Sequence, residues 1–233
     1  MSGSDREPVR VEAIRVALDA VHDRIRAAGG DERVAVLAVT KGFPAEVIAA
    51  AVAAGCVAIG ENYAQELVHK RAVIEALTPR PEVHFIGQLQ TNKVRQLVDL
   101  VDVYESVDRP SLVNELAKRA PGARVLIQVD ATGEPGKGGC PLADLDHLVE
   151  QAVGSGLALR GLMTVGPTEG GPEAARPAFR AVRAAVDRLG LAVCSMGMTT
   201  DLEVAVEEGS TEIRVGTALF GMRPVPAPHE QER

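Results

Sequence analysis

The run Leu37-Ala38-Val39-Thr40-Lys41-Gly42-Phe43-Pro44 sets an apolar, strand-like stretch against a lysine, then a glycine, then a proline suited to open a helix. Read alone, Lys41 is an ordinary solvated strand end. Strand alternation, however, places Leu37, Val39 and Lys41 on one face, so the ammonium stands above apolar residues. Desolvation and a neighbouring cation both lower a lysine's pKa and favour the neutral, nucleophilic amine.

A cation of the second kind sits in "EIRVGTALFG" (212–221). Ile213 and Val215 share the face expected to pack on helices, and Arg214 shares the opposite face with Glu212. An ion pair between Arg214 and Glu212, or another carboxylate, is the structural alternative. Two turns rich in hydroxyls and glycine complete the set. "CSMGMTTD" (194–201) offers Ser195, Met196 and Gly197, with Thr199 and Thr200 ahead of a helical stretch; Gly216 and Thr217 open the last helical stretch. Such residues favour caps and tight turns in any protein. Two such turns at neighbouring strand ends also suit a phosphate monoester, held by backbone N–H groups and a helix N-terminus. A nucleophilic lysine, an inward arginine and a phosphate cradle are the parts needed to hold pyridoxal 5′-phosphate as a Schiff base.

The elements that must position these groups follow from periodicity. Helical spacing runs from Val9 to Ala28 through Val9, Ala13, Val16 and Ala20, and stops at Gly29-Gly30. Strands are expected over 34–40, 57–60, 83–86, 102–105, 124–130, 159–165, 192–196 and 211–215, with helices over 44–54, 63–77, 91–99, 110–120, 142–154, 173–189 and 200–208. Strands separated by helices in this number and order predict an α/β fold, a (β/α)8 TIM barrel with an extra N-terminal helix. The rival is an open doubly wound sheet, which lacks its G-x-G-x-x-G after the first strand. Chemistry gathers at the C-terminal ends of barrel strands. There the sequence places Lys41, Glu61-Asn62-Tyr63, His84 with Gly87-Gln88, Gln128, Asp130, Met163-Thr164 and the two turns. "ATGEPGKGG" (131–139) fails the phosphate-loop pattern at Ala131 and Gly138 and reads as a mobile loop.

Composition excludes several classes. A net charge of −7 and an aromatic content of 3% give neither a basic field nor a stacking platform for nucleic acid. No apolar run reaches the roughly 18 residues of a membrane span. "MSGSDREPVR" lacks the apolar core of a secretion signal, so a cytoplasmic location is expected. Cys56, Cys140 and Cys194 match neither a disulfide framework nor a zinc spacing. The length of 233 residues suits one barrel, here 8–223, between flexible tails at 1–7 and 224–233. The expected assembly is a monomer or weak dimer.

"AVTKGFP", "GENYAQE", "VHFIGQLQTNK", "LRGLMTV" and "SMGMTTDLEVAVEEGSTEIRVGTALFG" together resemble, in order and spacing, the pyridoxal phosphate homeostasis proteins, which are similar to the N-terminal barrel of alanine racemase. The resemblance runs from about residue 10 to 223. It implies pyridoxal phosphate bound covalently to Lys41, phosphate contacts from the Ser195-Met196-Gly197 turn and from Gly216 and Thr217, and Arg214 near the pyridine nitrogen. It also implies that Asn62 and His84 line the site and that Glu61 has a structural or hydrogen-bonding role. This sequence departs from the family pattern in three places. Gly42-Phe43 stands where many members have Thr-Lys, "GQLQTNK" replaces Gly-Pro-Leu-Gln-Ser-Asn-Lys, and "MTTD" replaces Met-Ser-x-Asp. Threonine keeps the hydroxyl; the first departure removes any role for a second lysine beside Lys41.

The resemblance implies a carrier rather than an enzyme, one that holds the cofactor, hands it to recipient apoenzymes and so affects amino-acid and keto-acid balance. In the similar racemases the second acid/base group is a tyrosine from a further domain, whereas this chain has only Tyr63 and Tyr104 and ends soon after the eighth strand. An arginine at the pyridine nitrogen also weakens the ring as an electron sink, because a guanidinium holds its proton up to about pH 12. The alternatives are a pyridoxal-phosphate enzyme such as a weak amino-acid racemase or decarboxylase relative, and a cofactor-free lyase in which Lys41 attacks a sugar-phosphate carbonyl.

Overall fold

The computed structural model describes residues 6–222. Strands β1 (Ala35–Val39), β2 (Ala58–Glu61), β3 (Glu82–Phe85), β4 (Val103–Val107) and β5 (Arg124–Asp130) come first. A two-residue strand β6 (Cys140–Pro141) precedes β7 (Ala158–Met163), β8 (Val193–Ser195) and β9 (Glu212–Val215). The ring runs β4-β3-β2-β1-β9-β8-β7-β5, and pairing of β4 with β5 closes it. Every pairing is parallel. Each strand expected from the sequence is present, and the closed barrel follows. Only β6 has no counterpart in the expected pattern. It lies beside β5, outside the ring, at the end of the 131–139 loop.

The helices are α1 (Arg6–Ala27), α2 (Glu46–Ala53), α3 (Ala64–Ala76), α4 (Val94–Leu97), α5 (Pro110–Arg119), α6 (Leu145–Gly154), α7 (Arg176–Arg188), α8 (Leu202–Glu207) and α9 (Thr217–Phe220). The extra helix α1 packs on α2, α8 and α9. Its period is the expected one but its buried face is not. Ile14, Leu18, Val21 and Ile25 are buried, while Ala13, Val16 and Ala20 are exposed. The larger side chains remove more apolar area from water, so they take the inner face. Of the tails expected at 1–7 and 224–233, only Arg6 and Glu7 fall within the described residues, and both belong to α1.

The main core lies between the strands and the helices and includes Ile213 and Val215, as the alternation of β9 requires. All three cysteines are buried free thiols. Inside the ring the packing is of mixed character. Val103, Leu126 and Met163 form a small apolar cluster. His84, Glu105, Ser195, Glu212 and Arg214 are buried as well, with His84 in register with Val103, Ser195 with Met163, and Arg214 with Leu37. Polar groups in a barrel core must find partners there, and those partners determine what Arg214 does at the top.

Candidate functional site

A cavity of about 360 Å³ opens at the C-terminal ends of the strands. Its polar lining comes from Lys41, Asn62, Thr199, Thr200, Arg214, Gly216 and Thr217, and its apolar walls from Val39, Phe43, Ile86, Met163, Val165 and Met198. Residues far apart in sequence, the lysine after β1 and the arginine and threonine around the end of β9, therefore share one chamber. β1 and β9 are neighbours in the ring, with Ala38 in register with Val215.

Lys41 rides on a tight turn. The Phe43 N–H donates to the Thr40 carbonyl at 3.1 Å, and Gly42, third of the four residues, has φ +73°. This is the type II position that glycine fills without strain. Phe43 then meets Phe220 of α9 edge to face, with centroids 5.4 Å apart. That contact ties the Lys41 turn to the Thr217 turn across the cavity.

The other turn, after β8, is fixed from three sides. Arg24 of α1 donates from Nη2 to the Thr199 carbonyl at 2.8 Å while pairing with Glu203. Asp201 accepts the Met198 N–H at 2.6 Å. Gly197 has φ +94°, and its carbonyl accepts the Arg214 N–H at 3.0 Å. Thr199 and Thr200 thus face the cavity, whereas Gly197 shapes the turn from behind.

Ser195, Met196 and His84 are not among the residues that line the cavity. Ser195 is fully buried inside the ring; its Oγ accepts from Arg214 Nη1 at 2.7 Å and donates to Glu105 Oε2 at 2.8 Å. Met196 is turned outward into the helix-facing core. His84 lies deeper in the ring, its Nδ1 2.6 Å from Glu105 Oε1 and its Nε2 3.3 Å from Glu82 Oε2. The hydroxyl-bearing residues on the cavity are Thr199, Thr200 and Thr217. The sequence signal for Thr199 was its place before α8, which equally marks an N-cap.

The chain of partners continues below, from the barrel's buried interior out to half-exposed Glu82 and exposed Arg124. Glu82 pairs with Arg124, so partners run Arg124–Glu82–His84–Glu105–Ser195–Arg214, ending where Arg214 Nη2 donates to the Thr164 carbonyl at 2.6 Å. No carboxylate pairs directly with Arg214 among the described residues, so the expected alternative of a Glu212 bridge does not form. Burial works against a charged His84, but the bonds to Glu105 and Glu82 outweigh it and push its pKa up to about 10. Burial likewise opposes ionisation of Glu105, yet His84 and Arg214 hold its pKa below the usual carboxylate value. Glu212 is pushed up to about 8, first by burial and then by Glu105.

The chain matches the alanine racemase N-terminal domain family over residues 11–224. A pyridoxal phosphate homeostasis protein of Aquifex aeolicus is 40% identical over 209 residues, covering 85% of this chain and 91% of the relative. One from Pseudomonas aeruginosa is 39% identical over 216 residues, covering 89% and 93%. The chain belongs to the pyridoxal phosphate homeostasis protein family. PipY of Synechococcus elongatus, solved without pyridoxal phosphate, superposes on this pyridoxal phosphate homeostasis family member with a TM-score of 0.80 at 32% identity, covering 89% of this chain and all of PipY. The form with pyridoxal phosphate bound gives 0.74, covering 86% of this chain. Alanine racemase of Streptomyces coelicolor shares the fold at a TM-score of 0.72 and 23% identity, with 60% of its length covered.

The donor set fits the cofactor named in those relatives. Residues bearing an amine, a guanidinium and threonine hydroxyls line one chamber whose other walls are aliphatic, thioether and phenyl side chains. Such a chamber takes a flat heteroaromatic ring with an aldehyde at one end and a phosphate at the other.

Proposed function

We propose that this chain binds pyridoxal 5′-phosphate through Lys41 and holds it for delivery to recipient apoenzymes, as a single cytoplasmic barrel domain over 8–223 taking part in cofactor homeostasis. When bound, the cofactor supplies an aldehyde that condenses with an amine, with loss of one water. Lys41 supplies that amine. Thr199, Thr200, Thr217 and the Gly216 turn receive the phosphate, and Arg214 faces the ring nitrogen. Val39, Ile86, Met163 and Val165 would give the ring apolar walls. The convergence of Lys41 and Arg214 on one apolar-walled cavity carries this reading.

The same lining favours holding over turnover. The ionisable side chains on the cavity are Lys41 and Arg214. A guanidinium is a poor proton donor. Tyr104 is buried in the main core, and Tyr63 is exposed on the outer side of the Asn62 wall. An open mouth also lets an incoming amine reach the attachment point, where it displaces Lys41 without any change of oxidation state.

The protein is loaded with pyridoxal phosphate, reduced with borohydride and mapped by peptide mass. The modification is expected on Lys41 and absent from Lys41→Ala, which keeps its fold. Loaded protein mixed with an apoenzyme is expected to restore that enzyme's activity. Lys41-dependent Cα proton exchange of amino acids in deuterated water, fast and of defined stereochemistry, would overturn the carrier reading in favour of an enzyme.

A further inference from the structure

Lysine is rarely buried without strong partners, and Lys70 is 4% exposed. Its place in sequence gives no hint of this, because Glu66 and Lys70 read as an ordinary i,i+4 pair on α3. In the fold Lys70 lies beneath the turn that carries Lys41. Its Nζ donates to the Thr40 carbonyl at 2.9 Å, to Glu61 Oε1 at 2.6 Å and to Glu66 Oε1 at 2.6 Å. Three acceptors use all three ammonium protons.

The same two carboxylates hold the turn on both sides of Lys41. Thr40 Oγ1 donates to Glu61 Oε1 at 2.6 Å. The Gly42 N–H donates to Glu66 Oε1 at 2.7 Å. The residue before Lys41 is therefore fixed through its carbonyl and hydroxyl, and the residue after it through its N–H. Thr40's carbonyl already closes the turn by accepting from Phe43, so Lys70 adds a second bond to the oxygen that defines the turn's geometry. Helix packing alone does not require a main-chain carbonyl of another element to be taken up by a buried ammonium.

We infer that Lys70, with Glu61 and Glu66, is a positioning residue that fixes the backbone of Lys41 so that its amine meets the cofactor's aldehyde. The inference rests on the reading that Lys41 carries the cofactor. Fixing the Cα of Lys41 narrows the range its four-carbon stem can reach before the C–N bond forms and water leaves. The phosphate-facing threonines sit on other loops, after β8 and at the start of α9. Loss of the clamp therefore affects bond formation and leaves phosphate-directed binding intact.

The test compares pyridoxal 5′-phosphate with pyridoxine 5′-phosphate, which has the phosphate and ring but no aldehyde. Glu66→Ala removes the Gly42 tether and leaves the buried Lys70–Glu61 pair. Glu66→Gln keeps an acceptor oxygen, and Lys70→Met removes the centre of the cluster. Condensation with Lys41, followed by absorbance and fixed by borohydride, is expected to slow about ten- to a hundred-fold in Glu66→Ala and Lys70→Met. Glu66→Gln is expected to restore most of it. Pyridoxine 5′-phosphate affinity should stay within about two-fold in Glu66→Ala. Unchanged condensation in Glu66→Ala, or parallel loss of both ligands, overturns the inference. The wild-type protein separates the two failures, since absence of fixed cofactor on its Lys41 overturns the binding reading itself.

Discussion

Arg214 donates from Nη1 to the Oγ of Ser195 across 2.7 Å, with both side chains buried inside the ring. The hydroxyl in turn donates to Glu105, so Ser195 joins the cavity's cation to a carboxylate that it does not touch directly. Ser195 Oγ is thereby engaged on both sides, by Arg214 and by Glu105.

On the proposal that Arg214 faces the ring the two ligands share, Ser195→Ala is expected to weaken pyridoxal phosphate and pyridoxal by similar factors. It should also destabilise the fold. Bonds to charged groups are each worth about 1.5–3 kcal/mol, and the substitution leaves Glu105 and Arg214 each one partner short. Paired titrations of the two ligands, with urea unfolding, check both parts; a loss confined to pyridoxal phosphate would return Ser195 to the phosphate.

Thr217→Ala and Thr199→Ala should behave in the opposite way. Their hydroxyls line the cavity, and a charge-assisted bond to phosphate is worth about 1.5–3 kcal/mol. Pyridoxal phosphate should bind roughly ten-fold or more weakly, while pyridoxal should bind nearly as in the wild type. Thr199 is held by Arg24 through its backbone carbonyl, so removing its hydroxyl leaves the turn in place. Equal losses for the two ligands would put the phosphate elsewhere.

The ring's buried charges make stability depend on pH. His84 faces Glu82 on β3, Glu105 on β4 and Glu212 on β9. Its pKa rises from an ordinary 6.5 to about 10, so its contribution is complete below about pH 6.5 and is lost as pH climbs toward 10. Glu212 rises from 4.5 to about 8; ionising it costs stability, so the fold weakens as pH rises through that interval. Glu82 is held down to about 2, chiefly by its bond to His84, and its contribution is lost as pH falls from 4.5 toward 2. The signs agree on a maximum near pH 4.5, above which Glu212 and, beyond about pH 6.5, His84 weaken the fold. Above it the slope is at most about 1.4 kcal/mol per pH unit for each proton. Urea midpoints from pH 4 to 9 test this, and Glu212→Gln should flatten the decline between pH 5 and 8. A midpoint that increases from pH 6.5 to 9 would refute the assignment.

Much of this was legible in the sequence because parallel barrel strands are short apolar runs with few rival interpretations. The direction of Arg214 followed from the alternation of Ile213 and Val215, and the place of Lys41 from the end of β1. Ser195 was harder. β8 has three residues, so its alternation could not tell the inward end of the strand from the start of the next turn. The face of α1 was missed because Val16 and Ala20 share the helical period with Leu18 and Val21, and only packing chooses between them. Lys70 was invisible for another reason. Its partners Thr40 and Glu61 lie on other elements, and nothing in α3 announces that its ammonium is buried.

Gly197 links the two halves of the site, and its replacement is the most severe single change expected here. Its φ of +94° is one that side chains rarely adopt. A Cβ there would lie 2.4 Å from the Cβ of Ala205 and 3.1 Å from Cδ1 of Ile213. Neither neighbour yields cheaply, since Ala205 is fixed on α8 and Ile213 belongs to the packed core. Relief requires the turn to move, and the turn carries both the carbonyl that accepts the Arg214 N–H and the threonines facing the cavity. Overpacking and backbone strain of this kind each cost about 1–3 kcal/mol. Gly197→Ala is therefore expected to lower stability by at least about 2 kcal/mol. It should weaken pyridoxal phosphate and pyridoxal together, unlike Thr217→Ala. Urea unfolding with the same paired titrations distinguishes the cases; a stable variant with normal affinity for both ligands would show that the turn adapts without disturbing Arg214.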